Sequence, residues 1–170
     1  MRRSLVVAAL AALLPAAALA QDPWNMAKKV AGSGATAQVE KEVNRRLLEE
    51  GRKNQCSFKS GTAELEKGCD AKAKKLASAL IDAKKKLNSA GVQNFKFVVS
   101  GHTDTTGSAE KNRALSADRA SVMVKQLVAK GVPAGEIESV GMGSERPLVK
   151  PDDTAAKKAK NRRYEVQVRL

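Results

Sequence analysis

The sequence predicts an α/β sandwich, a mixed sheet of about four strands with helices packed on one face. Apolar residues recur at helical spacing in three stretches, and short β-rich runs fall between and after them. Strand and helix alternate from residue 54 to Leu170, the order that places helices over one face of a sheet.

Taken in order, residues 21–36 carry Pro, Gly and Ser around the lone Trp24, which predicts a flexible leading segment. Val39, Val43 and Leu47 then recur every four residues among Glu, Lys and Arg, predicting an amphipathic helix from Ala37 to Arg52 that Gly51 ends. Gln55 to Lys59 is a short strand candidate. Lys72 to Leu87 sets Leu76, Leu80, Ala83 and Leu87 on one helical face, with lysines on the other. The run Phe95 to Ser100 reads as a strand that stops at Gly101. A second long helix is predicted from Ser108 to Lys130, with Ala120, Val124, Leu127 and Val128 inward and Gly131 as its stop. Ile137 to Val140 is a short strand, Gly141 to Pro147 a loop, and Thr154 to Lys160 a helical turn. Finally, Tyr164, Val166 and Val168 alternate with Glu165, Gln167 and Arg169, as in a half-buried strand.

Residues 1–20 read as a targeting segment. Arg2 and Arg3 precede an apolar run from Leu5 to Leu14, and Ala18-Leu19-Ala20 gives the small-x-small pattern of a signal-peptidase site. The run is shorter than the roughly 20 residues of a membrane span, so a secretory signal peptide cleaved after Ala20 is expected. Gln21, not Cys, follows, so no lipid anchor and no transmembrane segment are expected in the mature chain. The expected domains are the signal peptide at 1–20, the flexible segment and amphipathic helix at 21–53, and one folded domain at 54–170.

The formal charge is +13, or +11 without Arg2 and Arg3. Such a charge suggests nucleic acid, but export and the scarcity of stacking residues, with one Trp, one Tyr and three Phe, argue against it. Anionic headgroups and wall carboxylates are the polyanions an exported chain meets. Two cysteines, Cys56 and Cys69, make a structural disulfide the expected pairing in an oxidising compartment. It would close a loop of about fourteen residues and contribute on the order of 3 kcal/mol. A metal site would need more ligands than these two and the distant His102. No cofactor is expected.

The most informative stretch is Gly101-His102-Thr103-Asp104 at a strand end, where ligand groups collect in α/β folds. Arg119 follows fifteen residues after Asp104, close enough for a strand-loop-helix unit to bring both to one pocket. Three readings stand side by side. Asp104 and Arg119 form a structural salt bridge; or Asp104 is a general base or orients His102; or the two charges grip the two ends of a zwitterion. The catalytic reading is the weakest, since His102 is the only His and no nucleophile-base set or carboxylate pair is evident.

Gly101-His102-Thr103-Asp104, Gly107, Asn112, Leu115-Ser116, Arg119-Ala120, Val124, Leu127, Gly131, Gly141-Met142-Gly143, Pro147 and Asn161-Arg162-Arg163-Tyr164-Glu165 together resemble an OmpA-like C-terminal domain. The resemblance covers roughly residues 54–170 and implies a βαβαβ-type sandwich that binds peptidoglycan non-covalently at the diaminopimelate of its stem peptide. By matching position it implies ligand-binding roles for Asp104 and Arg119, with Asn112, Thr103 and Leu115 lining the pocket. One of Arg162 and Arg163 is implied to support the sheet or the site. The implied setting is the periplasm, with outer-membrane association compatible, and the implied role is envelope integrity or wall anchoring without catalysis. An alternative is the wall-anchoring subunit of a larger envelope machine, the amphipathic helix contacting another envelope protein.

Overall fold

The computed structural model describes residues 23–59 and 61–170, with side chains described from Gly34 onward. The signal-peptide expectation at 1–20 lies outside the described residues. The elements run α1 (Pro23–Lys53), α2 (Cys69–Ser89), β1 (Lys96–His102), α3 (Ala109–Ala129), a 3-10 turn (Ala134–Glu136), β2 (Ile137–Gly141), α4 (Ala155–Asn161) and β3 (Arg163–Arg169).

Three strands form the sheet in the order β2-β1-β3, β1 lying parallel to β2 and antiparallel to β3. The period-2 pattern works as expected on β3, where Tyr164, Val166 and Val168 are buried. With Phe97 and Val99 of β1 they make the sheet's contribution to a core that α1, α2 and α3 cover. Leu76, Leu80, Ala83 and Leu87 face that core from α2, and Ala120, Met123 and Leu127 from α3. From α1, Val43 and Leu47 join the same core, and Val39 packs against it.

Two expectations about α1 are corrected. Residues 23–36 belong to α1, not to a flexible segment, and the helix continues past Gly51 to Lys53. Proline is compatible with a first helical position because its missing N–H has no intrahelical partner there. Gly51 is buried inside the last turns, where packing of Val43 and Leu47 outweighs the roughly 1 kcal/mol that glycine costs a helix.

The fourth strand, expected at Gln55 to Lys59, is reduced to an isolated bridge between Phe58 and Leu65. The edge such a strand would join is taken. Asn44 of α1 donates to the Val168 carbonyl at 3.1 Å and accepts from its N–H at 2.7 Å. Gln55 does the same for Tyr164, donating to its carbonyl at 2.7 Å and accepting from its N–H at 3.3 Å. Two side-chain amides thus supply four of the hydrogen bonds that a strand there would make, at Tyr164 and Val168.

One glycine pair sets how closely α3 lies on the sheet. Gly101 and Gly141 are register partners on β1 and β2. A Cβ on Gly101 would meet the Ser116 carbonyl oxygen at 2.1 Å, and one on Gly141 the Arg113 carbonyl oxygen at 2.5 Å. Only glycine admits the α3 backbone here. The contact falls at the C-terminal ends of both strands, directly beneath the loop that carries Asp104.

Candidate functional site

The loop from Thr103 to Gly107 leaves β1 and feeds α3, whose start Ser108 caps by accepting from the Lys111 N–H at 3.3 Å. Several bonds fix this loop. The Thr103 N–H donates to the Gly143 carbonyl at 2.9 Å, and Asn112 Nδ2 donates to the carbonyls of Asp104 and Thr106 at 3.3 and 3.0 Å. Asp152, itself buried, accepts from the Thr105 N–H at 2.9 Å, from the Thr105 hydroxyl, and from Asn161 Nδ2 at 3.0 Å. Those bonds, the Thr105 ones foremost, hold the Asp152 carboxyl down at about 2.

Asp104 accepts from the Thr106 N–H at 3.0 Å on Oδ1 and from Arg162 Nη1 at 2.8 Å on Oδ2. Burial pushes its carboxyl up, but the bonds from Arg162 and Thr106 outweigh this and leave it below its ordinary value. A carboxylate offers about four lone-pair positions, so two bonds leave room for an added donor.

Arg119 is buried and held from behind. Its Nε donates to the Thr62 carbonyl at 2.9 Å and its Nη2 contacts the Lys59 carbonyl at 3.5 Å, while the guanidinium sits over the Phe58 ring at 5.1 Å. These bonds occupy the Nε–Nη2 edge. Among the described residues nothing hydrogen-bonds to Nη1, and the Nη1–Nη2 edge has the geometry that a carboxylate meets through two parallel bonds. Burial, followed by repulsion from Arg162 and opposed by attraction to Asp104, lowers the Arg119 pKa, though a guanidinium stays charged at neutral pH.

The loop behind Arg119 is itself built. Lys59 N–H donates to the Glu64 carbonyl at 2.9 Å and Glu66 N–H to the Ser57 carbonyl at 3.0 Å. Cys56 and Cys69 close it with a disulfide, Cα to Cα 5.1 Å, as expected from the sequence. Tyr164 fastens its base, donating to the Asn54 carbonyl at 2.5 Å and accepting from the Cys56 N–H at 3.2 Å.

All five residues singled out from the sequence, Asp104, Arg119, Asn112, Thr103 and Leu115, line one groove of about 1070 Å³. They play unequal parts in it. Asp104 and Arg119 present charge, whereas Asn112 mainly braces the loop. The salt-bridge partner of Asp104 is Arg162, not Arg119. Arg163, by contrast, pairs with Glu165 at 2.7 Å and donates to the Arg146 carbonyl at 3.1 Å, so the two adjacent arginines divide site and scaffold between them. His102 is buried beside Glu165, 3.9 Å away, and neither ring nitrogen hydrogen-bonds to a described group. Among the described residues no three His, Cys, Asp or Glu side chains could hold a metal ion, and no helix is long and apolar enough to cross a membrane.

Phe58, the carbonyls of Lys59 and Thr62, and the Thr105–Asp152–Asn161 bonds were not among the residues expected from the sequence. Their contributions come through long-range contacts, and Phe58 stands in a segment whose only local signal was for a strand.

A three-stranded mixed sheet with helices on one face, and a charged groove at the C-terminal end of its central strand, define an α/β domain with a candidate binding groove. The OmpA family model matches residues 57–162, and the chain belongs to that family. It is 42% identical over 73 residues to the peptidoglycan-binding protein ArfA of Mycobacterium tuberculosis, covering 43% of this chain and 22% of that protein. It is 47% identical over 68 residues to the peptidoglycan-associated lipoprotein of Pasteurella multocida, covering 40% of this chain and 45% of that protein. The chain therefore spans less than half the length of these curated relatives. Among solved structures, the peptidoglycan-associated lipoprotein of Burkholderia pseudomallei superposes with a TM-score of 0.55 at 23% identity, over 68% of this chain and 89% of that one. The C-terminal domain of Helicobacter pylori MotB gives 0.55 at 23% identity, over 68% and 84%. These two likenesses concern the fold.

Proposed function

We propose that this chain binds peptidoglycan non-covalently in the periplasm, without chemistry, at the diaminopimelate of the stem peptide. The observation that carries the reading is that Asp104 and Arg119 line the same groove, Arg119 with only its Nε–Nη2 edge bonded among the described residues. The far end of diaminopimelate bears an ammonium and a carboxylate on one carbon. Asp104 accepts from the ammonium, and Arg119 holds the carboxylate through two parallel bonds. Family membership and the likeness to a peptidoglycan-binding protein and a peptidoglycan-associated lipoprotein support peptidoglycan as the polymer bound.

Binding alone accounts for the groups present. Both cysteines are bonded to one another, and His102 is buried without a hydrogen bond to Asp104 or to any described nucleophile. Export through the segment at 1–20 supplies the compartment.

Pelleting with purified sacculi tests the reading. Wild-type protein should sediment with the wall at raised salt, where diffuse attraction from the positive charge is screened. Asp104→Ala and Arg119→Ala should stay in the supernatant. Walls built with Lys in place of diaminopimelate lack the terminal carboxylate and leave Arg119 unmet, weakening binding by roughly 1–3 kcal/mol. Equal sedimentation of wild type and both variants would overturn the site.

A further inference from the structure

The groove is larger than one amino-acid end requires. At about 1070 Å³ this open groove has room for more than one residue of a ligand. Beyond Asp104 and Arg119 its lining includes Arg52 in the last turn of α1 and Lys158 and Lys160 on α4. None of these three cations has a carboxylate within salt-bridge distance among the described residues, whereas Arg162 and Arg163 in the same lining are paired. The lining carboxylates are Glu66, Asp104 and Glu165, and the last two are those partners. Leu148, 49% exposed, stands in the same wall and gives it an apolar element.

We infer that the groove takes an acidic peptide, with Arg52, Lys158 and Lys160 forming a second subsite for a carboxylate next to the zwitterionic end. The inference rests on the wall-binding reading and extends it from one residue of the ligand to its neighbour. Leu148 offers an apolar contact to the aliphatic part of such a peptide.

Two synthetic tripeptides test it, both bearing diaminopimelate with its terminal ammonium and carboxylate free. In one the preceding γ-linked glutamate keeps its α-carboxylate, and in the other that group is the neutral amide. Calorimetry on the full chain should give about 5- to 10-fold tighter binding of the acid form at low salt, a preference that raised salt erodes. The triple variant Arg52→Gln, Lys158→Gln, Lys160→Gln should bind the two peptides alike, and its unfolding midpoint reports that it remains folded. Equal affinity of wild type for the two forms, with both lost in Asp104→Ala, would overturn the second subsite and leave the wall-binding reading standing. Undiminished binding of both forms by Asp104→Ala and Arg119→Ala would overturn the reading on which it rests.

Discussion

The guanidinium carbon of Arg119 lies 5.1 Å from the centroid of the Phe58 ring, inside the loop that the Cys56–Cys69 disulfide closes. The ring and the carbonyls of Thr62 and Lys59 turn one edge of the guanidinium inward and leave the other toward the groove. Orientation of the key cation is therefore a property of a cross-linked loop distant in sequence. Replacing both cysteines by Ala should cost about 3 kcal/mol of stability and weaken wall sedimentation together. Phe58→Leu removes a cation–π contact of about 0.5–2 kcal/mol, so it should weaken sedimentation, with recovery in Phe58→Tyr. Thermal unfolding and pelleting on the same preparations separate the two effects, and unchanged pelleting in Phe58→Leu would remove the ring from the account.

The close approach of α3 to the sheet makes Gly101 and Gly141 intolerant of a single methyl group. Each Ala substitution forces a backbone carbonyl aside, at about 3 kcal/mol. Gly135→Ala is the matched control, since a Cβ there meets nothing within 4 Å. Urea unfolding should show a lowered midpoint for the first two and an unmoved one for the third.

Asn44 and Gln55 protect the backbone of β3 rather than merely touching it. Asn44→Ala should expose the Val168 amide and Gln55→Ala the Tyr164 amide, each with a loss of about 1–3 kcal/mol for the group left unmet. Hydrogen exchange read residue by residue should show the loss at that amide first. Uniform acceleration along the strand would mean that the helix, not the amide, does the protecting.

His102 makes stability fall with acid. Burial, then the positive charge of Arg163, pushes its pKa from 6.5 down to about 4, Arg146 adding to this and Glu165 opposing it. The unfolded chain therefore takes up a proton before the folded one does. Stability declines as pH falls from about 6.5 to about 4 and this contribution levels off below that. His102→Gln cannot take that proton, so the difference in melting temperature between wild type and variant should change across this window and be flat above it.

Much of the scaffold was legible because it depends on local periodicity. Leu76, Leu80 and Leu87 announce α2, and the alternation around Tyr164 announces β3, without reference to anything distant. Asp104 and Arg119 stood out because a charged residue at a strand end and another a short helix away are constrained by one connection. Gln55 to Lys59 misled because so short a segment is read from composition alone, while the edge of β3 it would have joined is claimed by the Asn44 and Gln55 side chains. Residues 23–36 misled because Gly and Ser are breakers by propensity, and a long helix can carry them. The pairing of Asp104 with Arg162 joins positions 58 apart, and no spacing rule reaches that far.

The amide clasp on β3 also bears on self-association. An outer strand with free N–H and C=O groups is a template on which a second copy can grow a shared sheet. Here Asn44 of α1 and Gln55 just beyond it supply blunt-ended partners, and side-chain amides cannot relay the pattern to a further strand. The opposite border, β2, is five residues long and carries Glu138, so it offers a short, charged stub. The sheet is terminated on both sides, and the fold resists polymerising through it.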